Sequence, residues 1–258
     1  MIIFYLIIFI FGLAIGSFLN VVIFRLETGD KIINDRSKCL YCGHKLSWYD
    51  LVPVFSFLFL KGKCRYCRKK ISFQYPIIEI TTGLLFILVC CYFPFVSSIP
   101  LLIEWLFLFY MLSVLIVVLS YDLKHFIIPD KIIFPAVIIA LIYNLIFANL
   151  QFLNTLAAAL VGSLFLFSIL LLTKGKGMGG GDVKLAFLMG LILGWPVLLF
   201  AMLISFILGS IYGIPLVIAG KKKMNSMVPF GPFLVMGTFI ALFWGNEIIN
   251  WYIQTFFV

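Results

Sequence analysis

Two aspartates lie beside long apolar segments, where carboxylates are costly. Asp122 closes an apolar run within LSYDLKHFIIPD, and Asp182 follows the glycines of KGMGGGDVK. Two carboxyl groups held close together share one proton, because they cannot both ionise at low cost. One carboxylate can then take a proton from water while the other acid protonates a carbonyl or a leaving group. Brought together, these two aspartates could therefore hydrolyse a peptide bond by acid–base catalysis.

The same residue types also allow a structural interpretation. An Asp at a helix start is commonly a cap, so Asp182 could cap a helix that begins at Val183, and Asp130 could cap the segment KIIFPAV. Asp122 fits this interpretation less well, because it lies at a helix C-terminus, where the helix dipole disfavours an anion. The residue pattern alone leaves both interpretations open.

Two C-x-x-C pairs form a second chemical cluster. They lie in the short repeat CLYCGHKLS and CRYCRKKIS, with residues 43–63 between the pairs. Two such pairs at about this separation are typical of a structural tetrahedral Zn²⁺ site. The expected ligands are Cys39, Cys42, Cys64 and Cys67. Two disulfides or four free thiols are the alternatives, and disulfides rarely persist in the cytosol.

The composition places these clusters in a membrane protein. The chain of 258 residues is 64% apolar and only 11% charged, whereas a soluble domain carries about a quarter charged residues. Several apolar runs reach the length of about 20 residues that crosses a bilayer as a helix. The first run has neither a basic n-region nor a small-residue cleavage pattern, so we expect it to be retained as a span. The fold class is therefore an all-α polytopic membrane protein.

About eight transmembrane helices are expected. Their approximate ranges are 2–24, 76–96, 101–121, 132–149, 152–173, 183–195, 196–219 and 230–253. The sixth run, of about 12 residues, would be only ~18 Å long against a hydrocarbon core of ~30 Å, so it is short or re-entrant. Irregular backbone at that depth requires surrounding protein or water, which suggests a cavity. Pairs of glycines at small-xxx-small spacing predict close helix packing, at Gly12/Gly16, Gly190/Gly194 and Gly209/Gly213.

Basic residues set the expected orientation. Most of the 19 lysines and arginines lie between Arg25 and Lys70. With the N-terminus outside, these residues and the other basic clusters fall on the cytoplasmic side, as the positive-inside rule requires. The net charge of +9 is then explained by the basic residues on the cytoplasmic side of the membrane. We therefore expect no nucleic-acid partner. Glu79 would enter the second span from the cytosol, where it could cap the helix, contact the zinc insert or contact a substrate amine.

The ordered set of motifs resembles the bacterial type IV prepilin peptidase family. GMGGGDVKL is similar to the G-x-G-D signature of polytopic aspartic proteases, with Gly179, Gly181 and Asp182 at its defining positions. GSFLNVVIFRL, the paired C-x-x-C insert, DLKHFIIPD and VPFGPFLVMG occur in the family's order. One departure is Lys124, at a position where many members carry a second acid.

The resemblance implies a membrane aspartic endopeptidase. It implies cleavage of the basic leader of type IV prepilins or pseudopilins after a glycine, at the cytoplasmic face of the bacterial inner membrane, in pilus assembly or protein secretion. Asp122 and Asp182 would be catalytic, and Gly179, Gly180 and Gly181 would let a substrate strand approach closely. Many members also methylate the new N-terminal amine with S-adenosylmethionine. The sequence shows no loop for that cofactor, and the insert and its junction with the early spans are the expected location.

Three parts and two rival functions follow. The parts are a first transmembrane helix over 1–24, a cytoplasmic zinc-binding insert over 25–75 and a transmembrane aspartic peptidase domain over 76–258.

One rival function is that of a non-enzymatic membrane assembly or transport protein in which the zinc insert docks a partner. The other is a G-x-G-D protease with other membrane substrates, such as preflagellins, although the zinc insert argues against it.

Overall fold

Helices built from the apolar runs make up most of the chain. A computed structural model describes residues 2–29, 37–93, 99–147, 151–175, 178–220 and 229–256. In chain order, the helices are α1 (Ile2–Thr28), α2 (Phe55–Phe59), α3 (Gln74–Tyr92), α4 (Ile99–His125), α5 (Asp130–Phe147), α6 (Phe152–Leu172), α7 (Gly180–Leu193), α8 (Val197–Ile218) and α9 (Gly231–Phe256). In these residues, β-structure is limited to two isolated antiparallel β-bridges in the insert. The predicted all-α class is confirmed.

Seven of the described helices are long and apolar enough to cross a membrane. They are α1, α3, α4, α5, α6, α8 and α9. A helix is suited to lipid because it pairs its backbone groups internally. The eighth, α7, has only 14 residues, as the short sixth run predicted. Leu185, Leu188 and Met189 of α7 are fully buried, so protein surrounds this helix. The chain is a multi-pass membrane protein.

The chain divides into two compact units, Met1–Val117 and Val118–Val258, with the boundary inside α4. In the first unit, α1 packs closely on α3. A Cβ built on Gly12 would lie 2.6 Å from Gly83 Cα, and one on Gly16 would lie 2.6 Å from Glu79 Cα. These glycines therefore serve the close packing that their spacing predicts. The division into parts at 1–24, 25–75 and 76–258 stays a prediction.

In the second unit, α7 lies against α5, α6 and α9. A Cβ on Gly190 would overlap the backbone of Ala159 in α6, so this glycine also serves close packing. Gly194 has a different role, since it ends α7 at a φ of +67°. A Cβ on Gly213 would meet no described atom within 4 Å, so the predicted close packing is not found there among the described residues. Open space beside Gly213 makes it a suitable site for a neutral control substitution.

Candidate active site and metal centre

Asp122 lies in the last turn of α4, buried at 4% exposure. Phe126, at a φ of 57°, ends the helix, and its N–H donates to the Asp122 carbonyl oxygen at 2.9 Å. The Asp122 carboxylate accepts the backbone N–H of Gly231, the first residue of α9. The positive end of the α9 dipole stabilises an anion there. This contact offsets the unfavourable dipole of its own helix.

Asp182 lies in the first turn of α7 and is buried at 7% exposure. Its Oδ2 atom accepts the Gly179 N–H at 3.1 Å. The helix begins at Gly180, three positions before the predicted start at Val183. The carboxylate therefore makes a cap-like bond from inside the helix, with one of its two oxygens. The structural interpretation of Asp182 is thus partly realised, and it leaves the second carboxylate oxygen for other chemistry.

The two buried carboxylates interact electrostatically within the second unit. Ile128, buried at 6% exposure, packs against Gly181, which precedes Asp182, and against Gly231, whose N–H the Asp122 carboxylate accepts. Its side chain is 3.0 Å from a Cβ built on Gly181 and 3.3 Å from one built on Gly231. The starts of α7 and α9 are therefore packed on one side chain from the segment after α4. Each acid therefore lies beside a helix N-terminus: Asp182 at the start of α7, and Asp122 at the start of α9. Such a position favours the negative charge that two carboxyl groups sharing one proton carry.

The three glycines of the G-x-G-D motif differ in their surroundings. Among the described residues, a Cβ on Gly180 would meet nothing within 4 Å, and the nearest atom to one on Gly179 would be Asp182 Oδ2 at 3.7 Å. Gly181 packs against Ile128. Within the described part of the chain, open space therefore lies next to Gly180, a side chain on Gly179 would contact Asp182, and Gly181 serves packing.

Lys184 pairs with Asp130 rather than acting as an isolated cation. Its Nζ lies 2.6 Å from Asp130 Oδ1 and 5.2 Å from the centre of the Phe134 ring. The two side chains are 38% and 55% exposed, so the ion pair contributes little stability. The partners lie 54 positions apart, and no local pattern in the sequence signals the pairing.

The four cysteines predicted as metal ligands come together in the first unit. Their sulfur atoms all lie within 4.8 Å of one another. A tetrahedral zinc ion with Zn–S bonds of about 2.3 Å places its sulfurs about 3.8 Å apart, and Cys39 Sγ lies 3.9 Å from Cys67 Sγ. All four cysteines are free, without disulfides. The donor set fits zinc.

The repeat around the cysteines produces two matching knuckles. In the first, Cys39 N–H donates to His44 O at 2.9 Å; in the second, Cys64 N–H donates to Lys69 O at 2.8 Å. Gly43 and Arg68 occupy equivalent positions with φ of 69° and 60°. Each knuckle contributes two thiols, so neither half completes the metal shell alone.

The environment of Cys39 favours the thiolate that a metal binds. Partial burial alone would raise the pKa of this thiol, but the backbone N–H groups of Cys42 and Tyr41 and the neighbouring thiols donate to its sulfur and lower the pKa to about 7. Zinc binds the deprotonated form of cysteine. At Cys67 the Lys69 N–H lowers the pKa, but desolvation and hydrogen bonds with Cys64, Cys42 and Cys39 raise it to about 11. The first thiolate of the cluster therefore forms on Cys39, and the neighbouring thiols stabilise it.

Glu79 joins α3 to the insert. Its Oε2 atom accepts the Val54 N–H at 2.7 Å, and the residue is 5% exposed. Val54 has a φ of 61°, which is rare for a β-branched residue. Of the roles considered for Glu79, the contact with the insert is observed.

The comparisons with known proteins agree with this geometry. The bacterial peptidase A24 N-terminal domain matches residues 10–93, and the type IV leader peptidase family matches residues 108–214. The chain is 36% identical over 248 residues to the prepilin leader peptidase/N-methyltransferase of Bacillus subtilis (strain 168), covering 96% of this chain and 97% of that protein. It is 33% identical over 279 residues to the protein of the same name from Aeromonas salmonicida (strain A449), covering 96% of this chain and 93% of that protein. No solved structure matches the chain. The chain belongs to the type IV leader peptidase family.

Proposed function

We propose that this chain is an aspartic endopeptidase that removes the basic leader of a type IV prepilin or pseudopilin, cutting after a glycine at the cytoplasmic face of the inner membrane. The observation that carries the proposal is the burial of the Asp122 and Asp182 carboxylates within one unit, at the starts of α9 and α7, which both pack on Ile128. The relatives named above are prepilin leader peptidases, which supports the choice of substrate. The concentration of basic residues between Arg25 and Lys70 supports the cytoplasmic side.

The proposed reaction needs one ionised and one protonated aspartate. The ionised group takes a proton from a water molecule, whose oxygen bonds to the carbonyl carbon of the glycine, while the protonated group donates its proton to the oxygen of that carbonyl. The C–N bond then breaks, and the leaving amine takes the proton that the first carboxylate received. Helix N-termini beside both groups favour the negative charge that the pair carries.

The substrate strand is proposed to lie against Gly179 and Gly180. A Cβ on Gly180 would contact none of the described residues, which supports this placement because a substrate backbone can approach a glycine closely. Gly181 contributes by letting the start of α7 pack on Ile128, which also contacts Gly231 at the start of α9.

We also propose that the enzyme methylates the new N-terminal amine. The relatives' names include N-methyltransferase, which supports this activity. When bound, S-adenosylmethionine supplies a methyl group on a sulfonium, which the amine can accept with loss of a proton. Residues of this chain would have to hold the donor and exclude competing water.

Incubation with a candidate prepilin, followed by mass spectrometry of the product's N-terminus, tests both activities. A product that begins immediately after the glycine, heavier by one methyl group when S-adenosylmethionine is present, is expected. Intact prepilin after incubation in a bilayer would contradict the peptidase proposal. Cleavage without any methyl group would contradict only the methylation.

Gly231 provides a test of how the active site is positioned. A Cβ at this position would lie 2.5 Å from Asp122 Oδ2 and 3.3 Å from Ile128 Cδ1. Because the carboxylate is the movable end of a side chain, Gly231→Ala is expected to displace it at little cost in stability. A displacement of about 1 Å lowers turnover by about 10²-fold, which leader-cleavage kinetics would measure.

Gly213→Ala is the matched control, since a Cβ there meets nothing within 4 Å. It should cleave like the unmodified chain and unfold at the same or a slightly higher temperature, because Ala is the better helix former. Unchanged turnover in Gly231→Ala would show that Asp122 does not act in the observed position.

A further inference from the structure

Residues 51–60 of the insert form an apolar run, LVPVFSFLFL, with a single serine. A run of this length is too short to cross a bilayer, and runs of about 10–14 residues belong either to a buried core or to a membrane interface. The run contains the short helix α2, and none of the described residues of that helix is buried. The segment is therefore not a core helix.

Two contacts fix the position of this segment along α3. Val54, just before α2, donates its N–H to Glu79 Oε2 at 2.7 Å. The Phe57 ring of α2 lies 5.3 Å from the ring of Phe73, the residue that precedes α3, in an edge-to-face arrangement. The short helix therefore lies beside the first turns of α3.

The length of α3 gives the depth of these contacts in a membrane. With 19 residues, α3 is about 28 Å long, close to the ~30 Å of hydrocarbon that a spanning helix crosses. Its first residue, Gln74, then lies near the edge of the hydrocarbon, and Glu79 lies ~7 Å further in. Because Val54 is bonded to Glu79, the start of α2 lies at about the same depth.

Large apolar side chains of α2 and of the start of α3 are exposed. Each of the following is more than half exposed, and together they are called the apolar face: Phe55, Leu58, Phe59, Phe73 and Ile77. A contiguous exposed apolar patch marks an interaction site, and amphipathic segments bury such a face at the boundary between headgroups and acyl chains. The part on α3 belongs to a helix that crosses the membrane, so lipid is the partner that reaches the whole face.

The charges beside the apolar face fit a bilayer surface. The sequence has no acidic residue between Asp50 and Glu79, whereas its basic residues there are Lys61, Lys63, Arg65, Arg68, Lys69 and Lys70. Lys61 and Lys63 come shortly after α2 and are exposed. A lysine can lay its stem along apolar surface while its ammonium group reaches anionic headgroups. Positive charge bordering an apolar face therefore favours lipid over an apolar protein surface.

We propose that residues 51–60 lie in the interface of the bilayer, with the apolar face among the outer parts of the acyl chains and Lys61 and Lys63 among anionic headgroups. The insert is then attached to the membrane by a third element besides α1 and α3. The second zinc knuckle, which begins at Cys64, is thereby held at the membrane surface.

Photolabelling from the lipid tests the depth of the segment. The full zinc-loaded chain is placed, one copy per disc, in nanodiscs of phosphatidylglycerol and phosphatidylcholine that include a phospholipid with a diazirine near the ester end of one acyl chain. After irradiation, digestion and mass spectrometry locate the label. We expect label on Phe55, Leu58 and Phe59 at a level similar to that on Ile77 of α3.

Two exposed side chains of the first knuckle are internal controls. Leu40 and Tyr41 are 53% and 63% exposed, against 63% for Leu58. The Tyr41 ring has Lys69 Nζ at 4.9 Å from its centre, which indicates a charged, hydrated environment. Exposure alone predicts similar label on all three side chains, whereas the proposed depth predicts label on Leu58 and loss of label on Leu40 and Tyr41.

Leu58→Glu tests what holds the segment in the bilayer. A carboxylate on the apolar face is costly among acyl chains, so label on Phe55 and Phe59 should fall and proteolysis within residues 51–63 should become faster. Leu40→Glu is the matched control, because it makes the same change at a comparably exposed leucine. It should leave both measurements unchanged, and zinc content shows that the insert is folded in each variant.

Several outcomes would overturn the inference. These are label on Ile77 with none on α2, equal label on Leu40 and Leu58, or undiminished label on Phe59 in Leu58→Glu. Cross-links from the apolar face to a second chain or to added prepilin, in place of lipid label, would assign the face to that partner instead. Because the labelling needs no substrate, its result does not depend on the proposed peptidase activity.

Discussion

Asp182→Asn and Asp122→Asn should each abolish leader cleavage while the chain remains folded. The Asn side chain keeps the size of Asp and an oxygen that can accept the Gly179 or Gly231 N–H. It can neither take a proton from water nor donate one to a carbonyl. Loss of acid–base catalysis costs on the order of 10²–10⁴-fold in rate. Single-turnover cleavage of a prepilin in nanodiscs would measure it.

Asp130→Asn is the matched control, because Asp130 also lies in the first turn of a helix in the second unit. It loses only the exposed pair with Lys184, which contributes at most about 1 kcal/mol. Cleavage by this variant should stay within about two-fold of the unmodified rate. Normal cleavage by Asp182→Asn would refute the aspartic mechanism.

Loss of the metal should unfold the insert. Structural zinc contributes an apparent free energy of about 10–16 kcal/mol in small zinc domains, and Cys64, at 5% exposure, is the buried member of the four. We expect Cys64→Ser, or prolonged chelation, to lower zinc content from about one ion per chain to nearly none. Limited proteolysis within residues 37–73 should then become rapid. Elemental analysis and mass spectrometry of the fragments would record both changes.

Cys91→Ser is the matched control for the thiol chemistry. Cys91 is exposed and lies in α3, outside the four-cysteine group. Its replacement should leave zinc content and proteolysis unchanged. An unmodified chain without zinc, or full zinc content in Cys64→Ser, would rule out the tetrahedral site.

The elements of the fold were largely predictable because lipid imposes length and apolar composition on each span. The observed α6 (Phe152–Leu172) begins at the first residue of the fifth predicted span, 152–173, and ends one residue before its predicted end. Two boundaries were less predictable. The α7 helix begins among glycines, which are poor helix formers, and α4 continues to His125, past the predicted end at residue 121.

The chemical groups of the site were predicted, but their contacts were not. The aspartates and cysteines were identifiable because charge in an apolar chain and paired C-x-x-C motifs are locally visible. Burial of both aspartates and proximity of the four thiols agree with those predictions, and their functional roles stay predictions. The bond from Val54 to Glu79 depends on packing between distant segments, which no local pattern encodes.

The two knuckles also bear on how the insert reaches its folded state. An ion held by both pairs ties Cys39 to Cys67, 28 positions apart, and so acts as a reversible cross-link on the chain. Closing a loop of that length costs conformational entropy that grows only logarithmically with loop size. Lengthening the connection between the knuckles by a few flexible residues should therefore weaken metal affinity only slightly, which makes this connection a suitable place to insert a reporter peptide.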